Sequence, residues 1–331
     1  MVGEVKHRRK DLENILDYLS SKLREILGTI PEYISCSLEE IRIRLDKPLM
    51  VIAGEKDYIL TERGLPTLDI SKAYIVTKDD VLKTFQLISD YSIYAVEEEL
   101  RNGFLTLRGG YRVGIAGKVV LENGAIKTLK HVSGFNIRIN REIKGISKRI
   151  LPYITEPLET VYNTLIISPP QCGKTTLLRD IALNISNGIE GYLRGKKVSI
   201  IDERSEIAGC YMGVPQNDVG IRTDVIDACP KAQGILMVIR AMSPEVIVTD
   251  EIGRREDVVA INEAVNSGVK VITTVHGKNL EEVSKKPHVS ELVANGIFER
   301  YVILSKRLGS GTIEAIIEGQ KYSAILSGPI K

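Results

Sequence analysis

The stretch Ser168-Pro169-Pro170-Gln171-Cys172-Gly173-Lys174-Thr175-Thr176 follows an apolar β-branched run, Thr164–Ser168. It leads into a segment with Leu177, Leu178 and Ile181 at helical spacing. Strand, short loop, Gly-Lys-Thr and helix form the arrangement that cradles phosphates. Loop N–H groups and the positive end of the helix surround the oxygens, the lysine reaches the β and γ positions, and the hydroxyl ligates Mg²⁺. Lys174 and Thr175 are expected in those two roles. Ser168, Pro169, Pro170, Gln171, Cys172, Gly173, Lys174, Thr175 and Thr176 are expected to contact the nucleotide. ATP and Mg²⁺ are the implied ligands. Ser168 stands where this motif begins with glycine, and Gln171 where glycine is common. A non-glycine residue held at positive φ costs roughly 1–2 kcal/mol, so weakened affinity is expected, and tighter binding after Gln171→Gly.

Val246-Ile247-Val248-Thr249 is an apolar strand ending in Asp250-Glu251. At the edge of a parallel sheet beside a phosphate loop, Asp250 suits Mg²⁺ coordination through water, and Glu251 suits orienting and deprotonating an attacking water. A second strand, KVSIID, ends in Asp202, Glu203 and Glu206. These acids are either a solvated strand exit or a second set of carboxylates facing the γ-phosphate. KVITTV ends at His276. An isolated histidine is usually structural, but at a strand tip after an acidic pair it is expected to sense the γ-phosphate.

These side chains need a frame. TLIIS, KVSIID, EVIVTD and KVITTV, each bounded by helical or turn sequence, predict a parallel sheet with crossover helices. Earlier in the chain, residues 11–30 carry Leu12, Ile15, Leu16, Leu19, Leu23, Ile26 and Leu27 at helical spacing and predict one amphipathic helix. Ile41, Ile43 and Leu45 alternate with polar residues, as in a half-buried strand. A helix over Lys78–Ser89 is expected to turn Val81, Leu82, Phe85 and Ile88 inward. Residues 103–140 read as strands around a Glu122-Asn123-Gly124 turn, and a helix is expected near Glu142–Ile150. The fold class that follows is α/β: a P-loop NTPase domain with a RecA-like parallel sheet and crossover helices, preceded by a smaller α+β domain with an antiparallel sheet. The expected division is 1–152, a hinge at 153–160, and 161–331.

The chain has 331 residues with Lys plus Arg 45 against Asp plus Glu 43, a net charge of +2, and 5% aromatic residues without tryptophan. That balance speaks against a nucleic-acid groove lined by cations and stacking rings. Lys6–Lys10 is a local exception. No apolar run reaches the length of a membrane span, and no signal-peptide core follows the basic N-terminus. Four separated cysteines indicate neither a disulfide framework nor zinc. A cytoplasmic protein is expected.

Taken in order, the phosphate loop, acidic cluster, Asp250-Glu251 and His276 resemble the secretion-superfamily ATPases of type II and type IV secretion and of type IV pilus motors. Ile239–Glu245 fills the place of that family's LRxDPD-like helix end. Asp250–Arg254 fills its GEIRD-like segment, Asp202 to Glu206 its aspartate box, and His276 its histidine box. Over nearly the whole chain, YSIYAVEEELRNGF, GGYRVGIAGKV and DERSEIAGCYMGVPQNDVGIRTDVIDACPKA resemble the stage III sporulation protein AA family of endospore-forming bacteria. The resemblance implies a homohexameric ATPase ring, peripheral to a membrane on the mother-cell side of the forespore, working with membrane proteins of a secretion-like channel. It also implies arginines donated to the transition state, worth roughly 10³–10⁵ in rate. Arg112 and Arg138 are the candidates by the family's pattern, with Arg222 and Arg240 as alternatives. Hydrolysis is expected to turn the N-terminal domain about the linker. Glu251 is favoured as the water-orienting carboxylate, with Glu206 as helper. Two rivals stand beside this reading: a nucleotide-gated scaffold with little turnover, and a motor stimulated by nucleic acid.

Overall fold

The computed structural model describes residues 11–54, 56–92, 96–139 and 143–330. Lys6–Lys10 and the start of the helix expected at Glu142 lie outside them. The chain forms two compact units, Met1–Arg141 and Glu142–Lys331.

In the first unit the strands are β1 (Leu38–Arg44), β2 (Met50–Ala53), β3 (Lys56–Leu60), β4 (Pro66–Thr67), β5 (Phe104–Leu107), β6 (Tyr111–Glu122) and β7 (Ala125–Arg138). Among the described residues they form one sheet of order β4-β3-β2-β1-β7-β6-β5, antiparallel at every pairing. Ile41 and Ile43 are fully buried, as their alternation predicts. Asn123 and Gly124 take positive φ (51° and 79°) between β6 and β7, the expected hairpin turn.

Two helical expectations change. The stretch 11–30 is not one helix: a helix over 11–16 is separated from Ser21–Gly28 by a turn. Ser20 makes the break, because its hydroxyl accepts from Leu23 N–H (3.3 Å) and donates to buried Asp80 (2.7 Å), bonds a mid-helix serine cannot make. In the helix Lys78–Ile88, Leu82 is half exposed, and Thr84 is buried in its place. The inward stripe is 81, 84, 85 and 88, the i, i+3, i+4, i+7 set, and Leu82 lies off it.

The second unit contains β8 (Thr164–Ser168), β9 (Val198–Asp202), β10 (Thr223–Asp227), β11 (Val246–Thr249), β12 (Lys270–His276), β13 (Arg300–Ser305), β14 (Thr312–Glu318) and β15 (Ser323–Ile330). Their order is β10-β9-β11-β12-β8-β13-β14-β15. The pairings from β10 to β13 are parallel, and β14–β15 add an antiparallel hairpin that the sequence reading did not contain. Successive side chains alternate between two cores. Ile166, Ile200 and Val248 pack on the face of the Lys174–Asn187 helix, and Leu165, Ile167, Ile201 and Ile247 on that of Lys231–Ala241 and Arg255–Asn266.

Around the expected hinge the chain is anchored. Ile146–Arg149 is a 3₁₀ turn and Leu151–Ile154 a short helix, in place of one helix to Ile150. Asp180 of the Lys174–Asn187 helix accepts from Gly145 N–H (2.8 Å), Ser147 N–H (2.7 Å) and Ser147 Oγ (2.6 Å). Thr155 bridges Val161, and the Tyr153 carbonyl accepts from Arg300 Nε at 2.8 Å. Residues 145–161 therefore belong to the second unit, and the units divide at 141/142, eleven residues before the expected boundary.

Candidate nucleotide site

Ser168, Asp202, Thr249 and His276 end β8, β9, β11 and β12, and the parallel registers bring these ends to one edge: His276 pairs with Ser168, and Thr249 with both Ile201 and Thr273. In open α/β sheets this edge is where ligands bind.

The phosphate loop leaves β8 at Ser168 and returns at Gly173, the N-cap of the Lys174–Asn187 helix. Gly173 has φ 83°, which favours glycine, and a Cβ there would crowd Ser310 Oγ at 3.0 Å. Gln171 takes φ 58°, the left-handed conformation that the motif ordinarily gives to glycine. Its side chain accepts from Lys306 Nζ at 3.2 Å, and Cys172 O accepts from Gly311 N–H at 2.9 Å, so the β13–β14 connection braces the loop. Pro169 and Pro170 supply no N–H. Donors for a phosphate come from the end of the loop and the first turn of a helix that no side chain caps. Thr175 and Thr176 sit half-buried in that turn.

Lys174, His276 and Glu251 form a chain. Lys174 Nζ lies 2.9 Å from His276 Nδ1 and 3.2 Å from Nε2, and His276 Nε2 lies 3.1 Å from Glu251 Oε1. With its hydrogen on Nε2, the imidazole donates to Glu251 and accepts from Lys174. Arg204 extends the chain, 3.5 Å from the other oxygen of Glu251. Burial pushes the Lys174 ammonium below its ordinary range, against the pull of Glu251 and Asp250.

Asp250 is 7% exposed, and burial raises its pKa, countered by Lys231 and reinforced by the Glu206 carboxylate. Asp250 Oδ1 has Lys231 Nζ at 3.4 Å as ionic neighbour but receives no hydrogen bond. A buried carboxylate oxygen without a donor fits a water of a hydrated cation. Asp202 accepts from the N–H groups of Glu206 (2.8 Å), Ile207 (2.9 Å) and Ala208 (2.8 Å), and burial still lifts its pKa to about 6. It shapes the turn that presents Glu206.

Of the expected residues, the structure gathers Lys174, Glu251, His276, Asp250 and Glu206 with the loop. Arg112 and Arg138 are cross-strand partners on β6 and β7 of the first unit. Arg112 stacks on Phe104 at 3.8 Å, and Arg138 is exposed. Arg222 is spent elsewhere: its guanidinium donates to Ser186 O near the C-terminal end of the Lys174–Asn187 helix (3.0 Å), away from the loop at the other end. Arg240 is exposed in the last turn of Lys231–Ala241. Two residues escaped the sequence reading. Arg179 is buried and donates to the carbonyls of Ile207 and Glu206. Lys231 is buried among Glu203, Asp250 and Glu251. Each had a signal: a cation inside an apolar helical stripe, and a cation at the positive end of a helix.

A family model for sporulation stage III, protein AA, matches residues 7–323. The chain belongs to this family. Stage III sporulation protein AA of Bacillus subtilis (strain 168) is 44% identical over 307 residues, covering 93% of this chain and 95% of that one. Solved structures share the fold. The pilus retraction motor PilT with bound ADP aligns with TM-score 0.56 and 15% identity over 86% of this chain and 78% of its own. The ATPase DotB of Legionella pneumophila aligns with TM-score 0.50 and 16% identity over 80% and 71%. The α/β P-loop fold is therefore shared between this sporulation family, the pilus retraction motor PilT and the ATPase DotB. Among the described residues, no helix is long and apolar enough to cross a membrane.

Proposed function

We propose that this protein is an ATP-hydrolysing motor subunit that energises a secretion-like channel in sporulation. The observation that carries the reading is the contact chain Lys174–His276–Glu251 at the strand edge, which joins the phosphate-reaching lysine to the water-orienting carboxylate through one imidazole. ATP would lie along Gly173, Lys174, Thr175 and Thr176, with the Gln171–Cys172 turn over its phosphates. Mg²⁺ would be held by Thr175 and, through water, Asp250, and would neutralise phosphate charge. Its fit rests on the buried Oδ1 of Asp250, which has the Lys231 ammonium as ionic neighbour but accepts no hydrogen bond.

Incoming phosphates draw Lys174 from His276 by charge, since an ammonium gains more from an anion than from a neutral ring. Freed from the lysine, His276 stays tethered to Glu251 and can follow the γ-phosphate. Glu251 takes the proton of the attacking water, and Glu206 adds negative charge beside Asp250. Arg112 and Arg138 are the candidates to bring positive charge from the N-terminal unit of the same or a neighbouring subunit. A homohexameric ring at a membrane, on the mother-cell side and coupled to membrane proteins, is the assembly that suits this role. Relatedness to the sporulation family and the fold shared with PilT and DotB support it.

The test is steady-state phosphate release by the full chain. Lys174→Ala and Glu251→Ala are expected to lower kcat at least 100-fold, and Arg112→Ala or Arg138→Ala at least 10-fold. Wild-type rates in Lys174→Ala or Glu251→Ala would end the proposal. Two prolines in the loop and a lysine already engaged favour a second reading, a nucleotide-gated scaffold. Nucleotide-dependent assembly without phosphate release would select it.

A further inference from the structure

Glu251, like Gln171 in the loop, is a non-glycine residue whose backbone the site holds at positive φ. Its φ is 27°, where L side chains meet steric resistance. Glu251 is held there by the backbone bond that follows it, Ile252 N–H to Thr274 O at 2.9 Å, and by two side chains. Its N–H donates to Thr274 Oγ1 on β12 at 2.9 Å, and its carbonyl accepts from Lys231 Nζ at 3.2 Å. Both holders are buried, Thr274 at 1% exposure and Lys231 at 5%.

Lys231 sits there against every local preference. It occupies the first position of an eleven-residue helix, where the dipole repels a cation, and its ammonium has been stripped of most of its water. The compensation is three oxygens: Glu203 Oε2 at 3.0 Å, Asp250 Oδ1 at 3.4 Å and the Glu251 carbonyl. The two carboxylates satisfy its charge. The carbonyl contact does something else, because it fixes the peptide from which the Glu251 side chain reaches His276.

We infer that Lys231 and Thr274 are positioning residues whose side chains hold the two peptides flanking the Glu251 Cα and so aim its carboxylate at His276 and the attacking water. The inference rests on the ATPase reading above. The loop and the Lys174–Asn187 helix that bind nucleotide lie outside the Thr274 contact, whereas Lys231 also pairs with Asp250, the residue assigned to Mg²⁺, so Thr274 is the holder that separates aim from binding. Loss of either holder releases the strain at φ 27°, swings the carboxylate and slows chemistry, and loss of Thr274 does so while leaving binding intact.

The experiment measures kcat, KM and nucleotide affinity, the last with a fluorescent ADP, for the full-length wild type, Lys231→Met, Thr274→Val and Lys174→Ala. Lys231→Met and Thr274→Val are each expected to lower kcat 10- to 100-fold, and Thr274→Val to do so with KM and ADP affinity within threefold. Thr274→Val is isosteric and adds no unpaired charge, so it reports even where Lys231→Met fails to fold. Unchanged kcat in Thr274→Val overturns the inference, as does a loss carried by KM and ADP affinity, which a merely structural role gives. Absence of Lys174-dependent turnover in the wild type overturns the ATPase reading and this inference together. Lys174-dependent turnover that neither holder affects overturns this inference alone.

Discussion

Gln171 shows how a single side chain bears on the chemistry. The sequence led us to expect that a glycine there would tighten nucleotide binding. The structure shifts that expectation, because the left-handed turn (φ 58°) is braced from within the chain by Lys306 and Gly311. The strain is charged to folding, not to binding. Gln171→Gly and Gln171→Ala both lose the Lys306 contact, but only glycine is at ease at that φ. The glycine variant is therefore expected to be about 1 kcal/mol more stable than the alanine variant in denaturant unfolding, with ADP affinities of wild type and Gln171→Gly within threefold. An alanine variant as stable as the glycine one would refute the strain at this turn.

The turn after β9 depends on one buried acid. Burial lifts the Asp202 pKa to about 6 from an unfolded value near 3.8. A raised carboxylate pKa means that the folded state takes up a proton first as pH falls. This group's contribution is therefore full below about 4 and is lost as pH rises through 6. Two pH units correspond to about 3 kcal/mol at most. The melting temperature of the wild type should thus gain on that of Asp202→Asn between pH 7.5 and 5, and a pH-independent difference would show that Asp202 does not titrate there. Strand ends of this kind were the legible part of the sequence. Asp250-Glu251 and His276 each close an apolar run and Lys174 follows one across a short loop, so pattern and position coincide in the chain. The break at Ser20 was not legible, because the apolar stripe runs through it and Leu23, where a capping acid would advertise a helix start, is apolar. The β14–β15 hairpin lacked an apolar run of the parallel-strand kind, since most of β15 is exposed. Lys231 could not be placed by pattern, because its partners Glu203 and Glu251 stand 28 and 20 residues away.

For the whole molecule the open quantity is assembly. If nucleotide joins subunits, size-exclusion chromatography with light scattering should show a shift from small species to a ring on addition of ATP and Mg²⁺, and Lys174→Ala should not make it. Equal mass with and without nucleotide would separate assembly from the site. The Asp180 carboxylate adds a mechanical corollary. It fastens the first residues of the C-terminal unit, Gly145 and Ser147, to the helix whose opening turn would meet the phosphates. In the proposed motor, displacement of that helix would pull on the backbone of Gly145–Ser147. Cargo movement would then be geared to the nucleotide by a carboxylate tether a few residues from the exit, and a slackened tether would let the engine idle, burning fuel without delivering thrust.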